Sequence, residues 1–204
     1  MSTGHIYLVP QSSWTRINLL LIFSIVLIGC GSNKELSEEY FSDGQLMSQG
    51  FTVAGLKQGD WIYFTNEGDT SEIHGFEKDS LRLKKIFIDG KLFYSEQILN
   101  GVPHGELIMY HENGNIKSIG KAVNGIENGE YKGYYENGEL YVDGAVNDGD
   151  LVGEFKQYHL NGQIAVHSKN IGNSIRSVYD SMGNLTYKWR YKNNQIVDTL
   201  FFTP

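Results

Sequence analysis

The chain has 204 residues, with 24 glycines, 16 asparagines and 26 aromatic residues (13 Tyr, 10 Phe, 3 Trp) against 3 prolines and a single cysteine. One cysteine excludes an intramolecular disulfide framework and a multi-cysteine metal site, and so few prolines exclude a proline-rich or collagen-like chain. The 17 basic and 24 acidic side chains give a net charge of −7, unlike general nucleic-acid binders, which neutralise phosphate with Lys and Arg.

Residues 19–28, LLLIFSIVLI, are apolar or nearly so and carry no charge. A membrane-spanning helix needs about 20 such residues, so the run reads as the apolar stretch of a signal peptide. It ends in Leu27-Ile28-Gly29-Cys30. That tetrapeptide resembles the bacterial lipobox, in which a small residue precedes a cysteine that is lipidated and becomes the new N-terminus. The resemblance implies a leader over 1–29 containing a signal-peptide helix, and membrane anchoring through Cys30. Two or more acyl chains, at about 0.8 kcal/mol per buried CH₂, hold a protein stably. Ser32 stands where inner-membrane lipoproteins commonly carry Asp, so the resemblance favours an outer-membrane location in a bacterial cell envelope. Removing the leader takes away Arg16 and leaves 16 basic against 24 acidic side chains, a charge of −8. The stretch 31–39, GSNKELSEE, is polar and acidic; with no packing pattern it reads as part of a flexible tether over 30–39. The domain proper then covers 40–204.

That domain is one unit written about seven times. Gly44, Gly68, Gly90, Gly114, Gly138, Gly162 and Gly183 recur at spacings of 24, 22, 24, 24, 24 and 21. Four positions before each glycine stand Tyr40, Phe64, Ile86, Tyr110, Tyr134, Tyr158 and Tyr179. Further columns align at Gly120 and Gly144, at Gly101, Gly125 and Gly149, and at Gly105, Gly129 and Gly153. The last set is followed by Glu106, Glu130 and Glu154, and then by Leu107, Tyr131 and Phe155. Gly59-Asp60-Trp61 fits the same frame.

Each unit reads as an antiparallel β-hairpin. Asn-Gly at 113–114, 137–138 and 161–162 predicts type I′ turns, and a longer glycine-containing loop returns the chain to the next hairpin. Seven units give about fourteen strands, a single elongated sheet of roughly 65 Å at about 4.8 Å per strand. A thin sheet of this kind predicts ring ladders, each aromatic stacking on its equivalent in the next unit. Residues 76–87, FEKDSLRLKKIF, lack the expected glycines and read as an eroded unit with longer strands. Residues 170–204 read as a C-terminal cap with a different outer face.

The repeat resembles the MORN repeat (membrane occupation and recognition nexus), in particular its bacterial variant. The resemblance rests on the aromatic, the Tyr, the Asn-Gly step and the following Gly-x-x-x-Gly-[acid or Trp], over about residues 40–199, and most clearly over 100–163. It implies an all-β hairpin array that works by contact with a partner.

No catalytic constellation accompanies this pattern. His74, His104, His111, His159 and His167 form no His-x-x-x-His pair, and no local spacing assembles the three or four ligands of a zinc site. His104 reads as a turn residue. Asn147-Asp148-Gly149-Asp150 fails the EF-hand offsets and reads as an Asp-Gly turn. Neither a nucleophile elbow nor a phosphate-cradling glycine loop occurs. The column Glu106, Glu130, Glu154 reads as solvated strand-start acids that discourage edge aggregation. The expectation is therefore a non-enzymatic, lipid-anchored interaction module without metal or cofactor, with an unidentified protein partner and no nucleic acid. Bacterial members of the resembled family are often labelled antitoxin components, so neutralisation of a toxin is an alternative. Lipid-headgroup binding is another; the only basic cluster is Lys78, Arg82, Lys84, Lys85 and Lys91, and the charge of about −8 opposes anionic lipids.

Overall fold

The computed structural model describes residues 33–169, 174–193 and 195–202. The leader over 1–29, its signal-peptide helix and Cys30 lie outside the described residues. Within them the regular structure is strand: β1 (Lys34–Tyr40), β2 (Leu46–Val53), β3 (Leu56–Phe64), β4 (Thr70–Glu77), β5 (Ser80–Ile88), β6 (Lys91–Leu99), β7 (Val102–Tyr110), β8 (Ile116–Val123), β9 (Ile126–Glu127), β10 (Gly129–Tyr134), β11 (Leu140–Asn147), β12 (Asp150–Tyr158), β13 (Ile164–Lys169), β14 (Ile175–Tyr179), β15 (Leu185–Lys192) and β16 (Gln195–Phe201). They form one open antiparallel sheet in chain order, with β9 a two-residue piece beside β10 that pairs with β8. The all-β hairpin array read from the sequence is thus the observed fold.

Three segments differ from expectation. The tether is corrected over Lys34–Glu39, which pairs along β2 from Lys34↔Val53 to Glu39↔Ser48. Backbone pairing asks little hydrophobicity of an outer strand, and the charges of KELSEEY suit a strand whose far side is open. At the other end, β14 to β16 continue the same sheet, and Ile196, Val197 and Leu200 of β16 remain exposed. The strands of the eroded unit are not longer than the rest: β5 and β6 have 9 residues each, as do β3, β7 and β12.

The turns fall into two classes, one at each long edge. At the first edge the chain runs through five-residue loops. In the loop 111–115 the Gly114 N–H donates to the His111 carbonyl (2.9 Å), and the His111 N–H donates to that of Asn115 (2.8 Å). Gly114 has φ +85, and Asn113 is absent from the positive-φ residues. This is a type I turn followed by a left-handed glycine, so the type I′ reading of 113–114, 137–138 and 161–162 is corrected. The cause lies in the asparagine side chain: Asn113 Oδ1 accepts from the Asn115 N–H (2.9 Å), an Asx-type bond that holds the loop without inverting φ at Asn113. The two-residue turns with positive φ at both positions sit chiefly at the second edge. They are Ala54-Gly55, Lys78-Asp79, Asn100-Gly101, Asn124-Gly125 and Asp148-Gly149. Asp89-Gly90 is a sixth such turn, placed at the first edge in the eroded unit, and it shortens the spacing before Gly90 by one residue.

Strand alternation and register assign every side chain to a face. One face carries Tyr63, Glu72, Ile86, Tyr94, Met109, Ser118, Gly133 and Val142, each paired with the next. The buried apolar side chains Trp61, Ile98, Ala122, Val142 and Val146 lie on this ring face. The opposite face runs Ile62, Ile73, Lys85, Ser95, Ile108 and Ile119, then Lys132, Asp143, Lys156 and His167. It is mostly apolar in the N-terminal half and charged from Lys132 onward.

Candidate interaction surface

The Gly-acid-aromatic step is the local device that shapes the ring face. Gln49 pairs with Ile62 and Phe51 with Gln58, so Gly50 alone stands against Gly59, Asp60 and Trp61. Gly144 stands likewise against Gly153, Glu154 and Phe155. These are bulges, opened by a glycine at positive φ (Gly59 +74, Gly153 +69). The ring thrown up by each bulge settles on the small residue opposite. A Cβ on Gly50 would lie 2.4 Å from Trp61 ring carbons, and one on Gly144 would lie 3.3 Å from the Phe155 ring. The columns Gly120/Gly144 and Gly105/Gly129/Gly153 seen in the sequence are therefore ring seats and bulge hinges.

The repeat aromatics occupy a second irregularity. A register shift immediately precedes each of Tyr40, Phe64, Tyr110, Tyr134, Tyr158 and Tyr179, which then pair with Leu46, Thr70, Ile116, Leu140, Ile164 and Leu185. In the eroded unit the shifted residue is Phe87, paired with Leu92, so Ile86 is corrected to Phe87 as the structural equivalent. The seven predicted glycines all sit in turns along the first edge, Gly44, Gly68, Gly114, Gly138, Gly162 and Gly183 in five-residue loops and Gly90 in a two-residue one.

The expected ring ladder is replaced by hydrogen bonds. Among the described residues the ring pairs are Trp61–Phe76, Tyr63–His74, His74–Phe76, Tyr135–Tyr141 and Tyr187–Trp189, none joining two repeat aromatics. Instead, the residue after the repeat Tyr reaches the next unit. His111 Nε2–H donates to the Tyr134 carbonyl (2.9 Å), the Tyr135 hydroxyl to that of Tyr158 (2.7 Å), and His159 Nε2–H to that of Tyr179 (3.0 Å). Asn113 Nδ2 donates to the Glu136 carbonyl (2.8 Å) and Asn161 Nδ2 to that of Ser181 (2.6 Å). At the second edge the Gly125 N–H donates to the Pro103 carbonyl (2.8 Å) and the Gly149 N–H to that of Glu127 (3.0 Å). The loops from 111 to 184 are thus joined unit to unit along the first edge, and several second-edge turns are joined likewise.

The acid column is exposed and interleaved with bases. Glu154 accepts from His167 Nε2 (2.6 Å) and lies 3.2 Å from Lys156 Nζ. These partners hold the Glu154 carboxyl below its usual range and the Lys156 ammonium above its own. Glu130, Lys132, Asp143 and Lys156 line the same shallow depression as Glu154. The carboxylates form no isolated like-charge pair. His104 stands in β7, near the second edge, and its Nδ1 accepts from the N–H of the turn residue Asn124 (3.4 Å). No group of three or more His, Cys, Asp or Glu side chains is arranged to hold a metal ion among the described residues, and no described helix is long and apolar enough to cross a membrane.

Two surface features escaped the sequence reading. The first is an apolar row beside the second-edge turns: Leu99 pairs with Val102 and Val123 with Ile126. All four side chains are 37 to 50% exposed. The second is a cluster on the ring face, in which the Lys57 ammonium lies 3.9 Å from the Trp61 ring centroid, 5.3 Å from that of Phe76 and 5.7 Å from that of Tyr63.

Three segments, 103–124, 127–144 and 151–168, match the MORN repeat variant family. They cover the region where the glycine columns are most complete. No curated protein matches the chain. Among solved structures, the crystal structure of a mutant S. aureus TarM in complex with Fondaparinux, alpha-GlcNAc-glycerol and UDP is matched at 16% identity with a TM-score of 0.21. The match covers 73% of this chain and 21% of that one, and at that score it defines neither a shared fold nor a shared activity. The MORN repeats point to an interaction or membrane-binding module built by repetition.

Proposed function

We propose that the chain is a cell-envelope lipoprotein, held to a membrane through Cys30, whose repeat sheet is a non-catalytic protein-interaction module. The interaction reading is carried by the row Leu99, Val102, Val123 and Ile126. These side chains sit next to one another on one face of a sheet with no second layer, and a contiguous exposed apolar patch is what a partner surface requires. The exposed Val152 of β12, paired with Ala145, adds to the same face along the second edge. The anchoring reading rests on the sequence Leu27-Ile28-Gly29-Cys30 at the end of an apolar run.

Both readings are open to direct test in a bacterial host. The wild-type chain is expected in the membrane fraction, with radiolabelled palmitate incorporated, and Cys30→Ala in the soluble fraction without label. Equal distribution of the two overturns the anchor. The double variant Val102→Asp/Ile126→Asp is expected to fold, because all its changes are at exposed positions, yet to lose the proteins that co-purify with the wild type from envelope extract. Retention of the same set overturns the assignment of the surface.

A further inference from the structure

We propose that Trp61, Tyr63 and Phe76 form a preorganised site for a quaternary ammonium group, closed in this state by the ammonium of Lys57. The walls belong to β3 and β4 and project from the ring face. Each is fixed by something other than Lys57. Trp61 is 1% exposed, its indole N–H donates to the Phe51 carbonyl (3.1 Å), and its ring rests on Gly50. Phe76 meets Trp61 edge to face at 6.4 Å between centroids. The Tyr63 ring lies 4.5 Å from the His74 ring, and His74 is in turn held by the Glu72 carboxylate at 2.6 Å.

Lys57 is the one flexible member. It stands next to Leu56, the first residue after the Ala54-Gly55 turn, and its Nζ donates to the Tyr63 hydroxyl at 3.3 Å. Among the described residues no carboxylate oxygen comes within ion-pairing distance of that ammonium. A primary ammonium wants three hydrogen-bond acceptors, and here the protein supplies one phenol and three ring faces. A trimethylammonium group has no N–H to satisfy, and recognition of such groups by clustered ring faces is the established chemistry of aromatic cages. The box therefore fits a quaternary ammonium better than it fits its present occupant. Burial, with smaller contributions from the Glu39 and Glu72 carboxylates, pushes the Tyr63 phenol up to about 12. The site is distinct from the apolar row of the proposed partner surface, which lies on the other face.

The test is equilibrium dialysis of the full chain against radiolabelled choline at constant ionic strength, in a Cys30→Ala background. Lys57→Gln shortens the stem and removes the competing charge. It is expected to bind choline about tenfold more tightly than the parent, a gain in line with a desolvated cation–π contact, while Lys57→Arg shows no gain. Adding Phe76→Leu or Tyr63→Leu to Lys57→Gln is expected to abolish the gain; circular dichroism identifies any variant that fails to fold, and the other then serves. Flotation distinguishes the source. Flotation of Lys57→Gln with phosphatidylcholine vesicles beyond phosphatidylglycerol vesicles assigns the site to a lipid headgroup; choline binding without flotation assigns it to a free solute. Folded Lys57→Gln that binds choline no better than the parent overturns the proposal, as does a gain that survives loss of the rings.

Discussion

At the scale of single residues, the glycines divide by cause. Gly50 has an ordinary backbone and is required by space: a Cβ there would stand 2.4 Å from the Trp61 ring, while one on Gly120 would meet Tyr131 at 3.6 Å, ordinary contact. Gly50→Ala is therefore expected to cost about 1–3 kcal/mol or more through overpacking. Gly120→Ala is expected to be neutral or stabilising by up to about 1 kcal/mol through the unfolded chain. Urea midpoints of the two variants check the contrast, and equal losses would place the strain elsewhere. Glu72 gives a second residue-scale prediction. The His74 hydrogen bond, with help from Lys84, holds this half-buried carboxyl below its usual 4.5 despite burial. Because the folded value is the lower one, the stabilisation is present above pH 4.5 and is lost as pH falls through the folded value. Glu72→Gln is thus expected to unfold with a flatter acid limb below pH 4.5 than the wild type, as read by circular dichroism across a pH series.

At the scale of elements, the two turn classes make opposite demands on the same dipeptide. Asn124 has φ +52 in a two-residue turn, whereas Asn113 keeps a negative φ and spends its side chain on Asn115 N and the Glu136 carbonyl. Asn124→Gly is expected to be nearly neutral, since glycine adopts positive φ freely. Asn113→Gly loses both side-chain bonds and is expected to cost about 1 kcal/mol. Thermal or urea unfolding of the two separates them, and a neutral Asn113→Gly would restore the I′ assignment. This is also where the sequence stopped being legible. The positions of the turns, the hairpin order and the units around 100–163 could be read from glycine spacing, because bulge and turn glycines cannot drift. The turn type could not, because Asn-Gly serves both loops and the difference lies in where the strands stop pairing. Ile86 was misaligned for the same reason, since a two-residue turn moved the shifted position by one, to Phe87. Lys57 and its ring box left no signal, because they depend on which residues share a face across β3 and β4, and a bulge intervenes between Lys57 and Trp61. The polar β1 was missed because edge pairing does not write an apolar alternation.

At the scale of the whole molecule, the strands pair in chain order, with the short β9 beside the path, and edge hydrogen bonds join several of the units to the next. Stability is then a sum of unit terms and nearest-neighbour terms, with no core shared by distant units. That architecture tolerates the loss of a whole period and not of half a period. Deleting Leu107–Glu130 removes 24 residues and joins Glu106 to Tyr131, which restores the Gly-acid-aromatic step and the direction of the following strand. Deleting only 107–118 fuses the first half of β7 to the second half of β8 and brings the Asn124-Gly125 turn to the opposite long edge, so the pairs this unit makes with β6 and β10 are lost while the later hairpins keep their own antiparallel pairing. The 24-residue deletion is expected to keep the β signal in circular dichroism and to unfold in urea with a smaller slope, since less surface is exposed. Hydrogen exchange in it is expected to remain slow from β10 onward. The 12-residue deletion is expected to lose protection locally, over β6 to β10. Loss of protection throughout the C-terminal half in either deletion would mean that distant units share a core, and that the array is not a chain of neighbours.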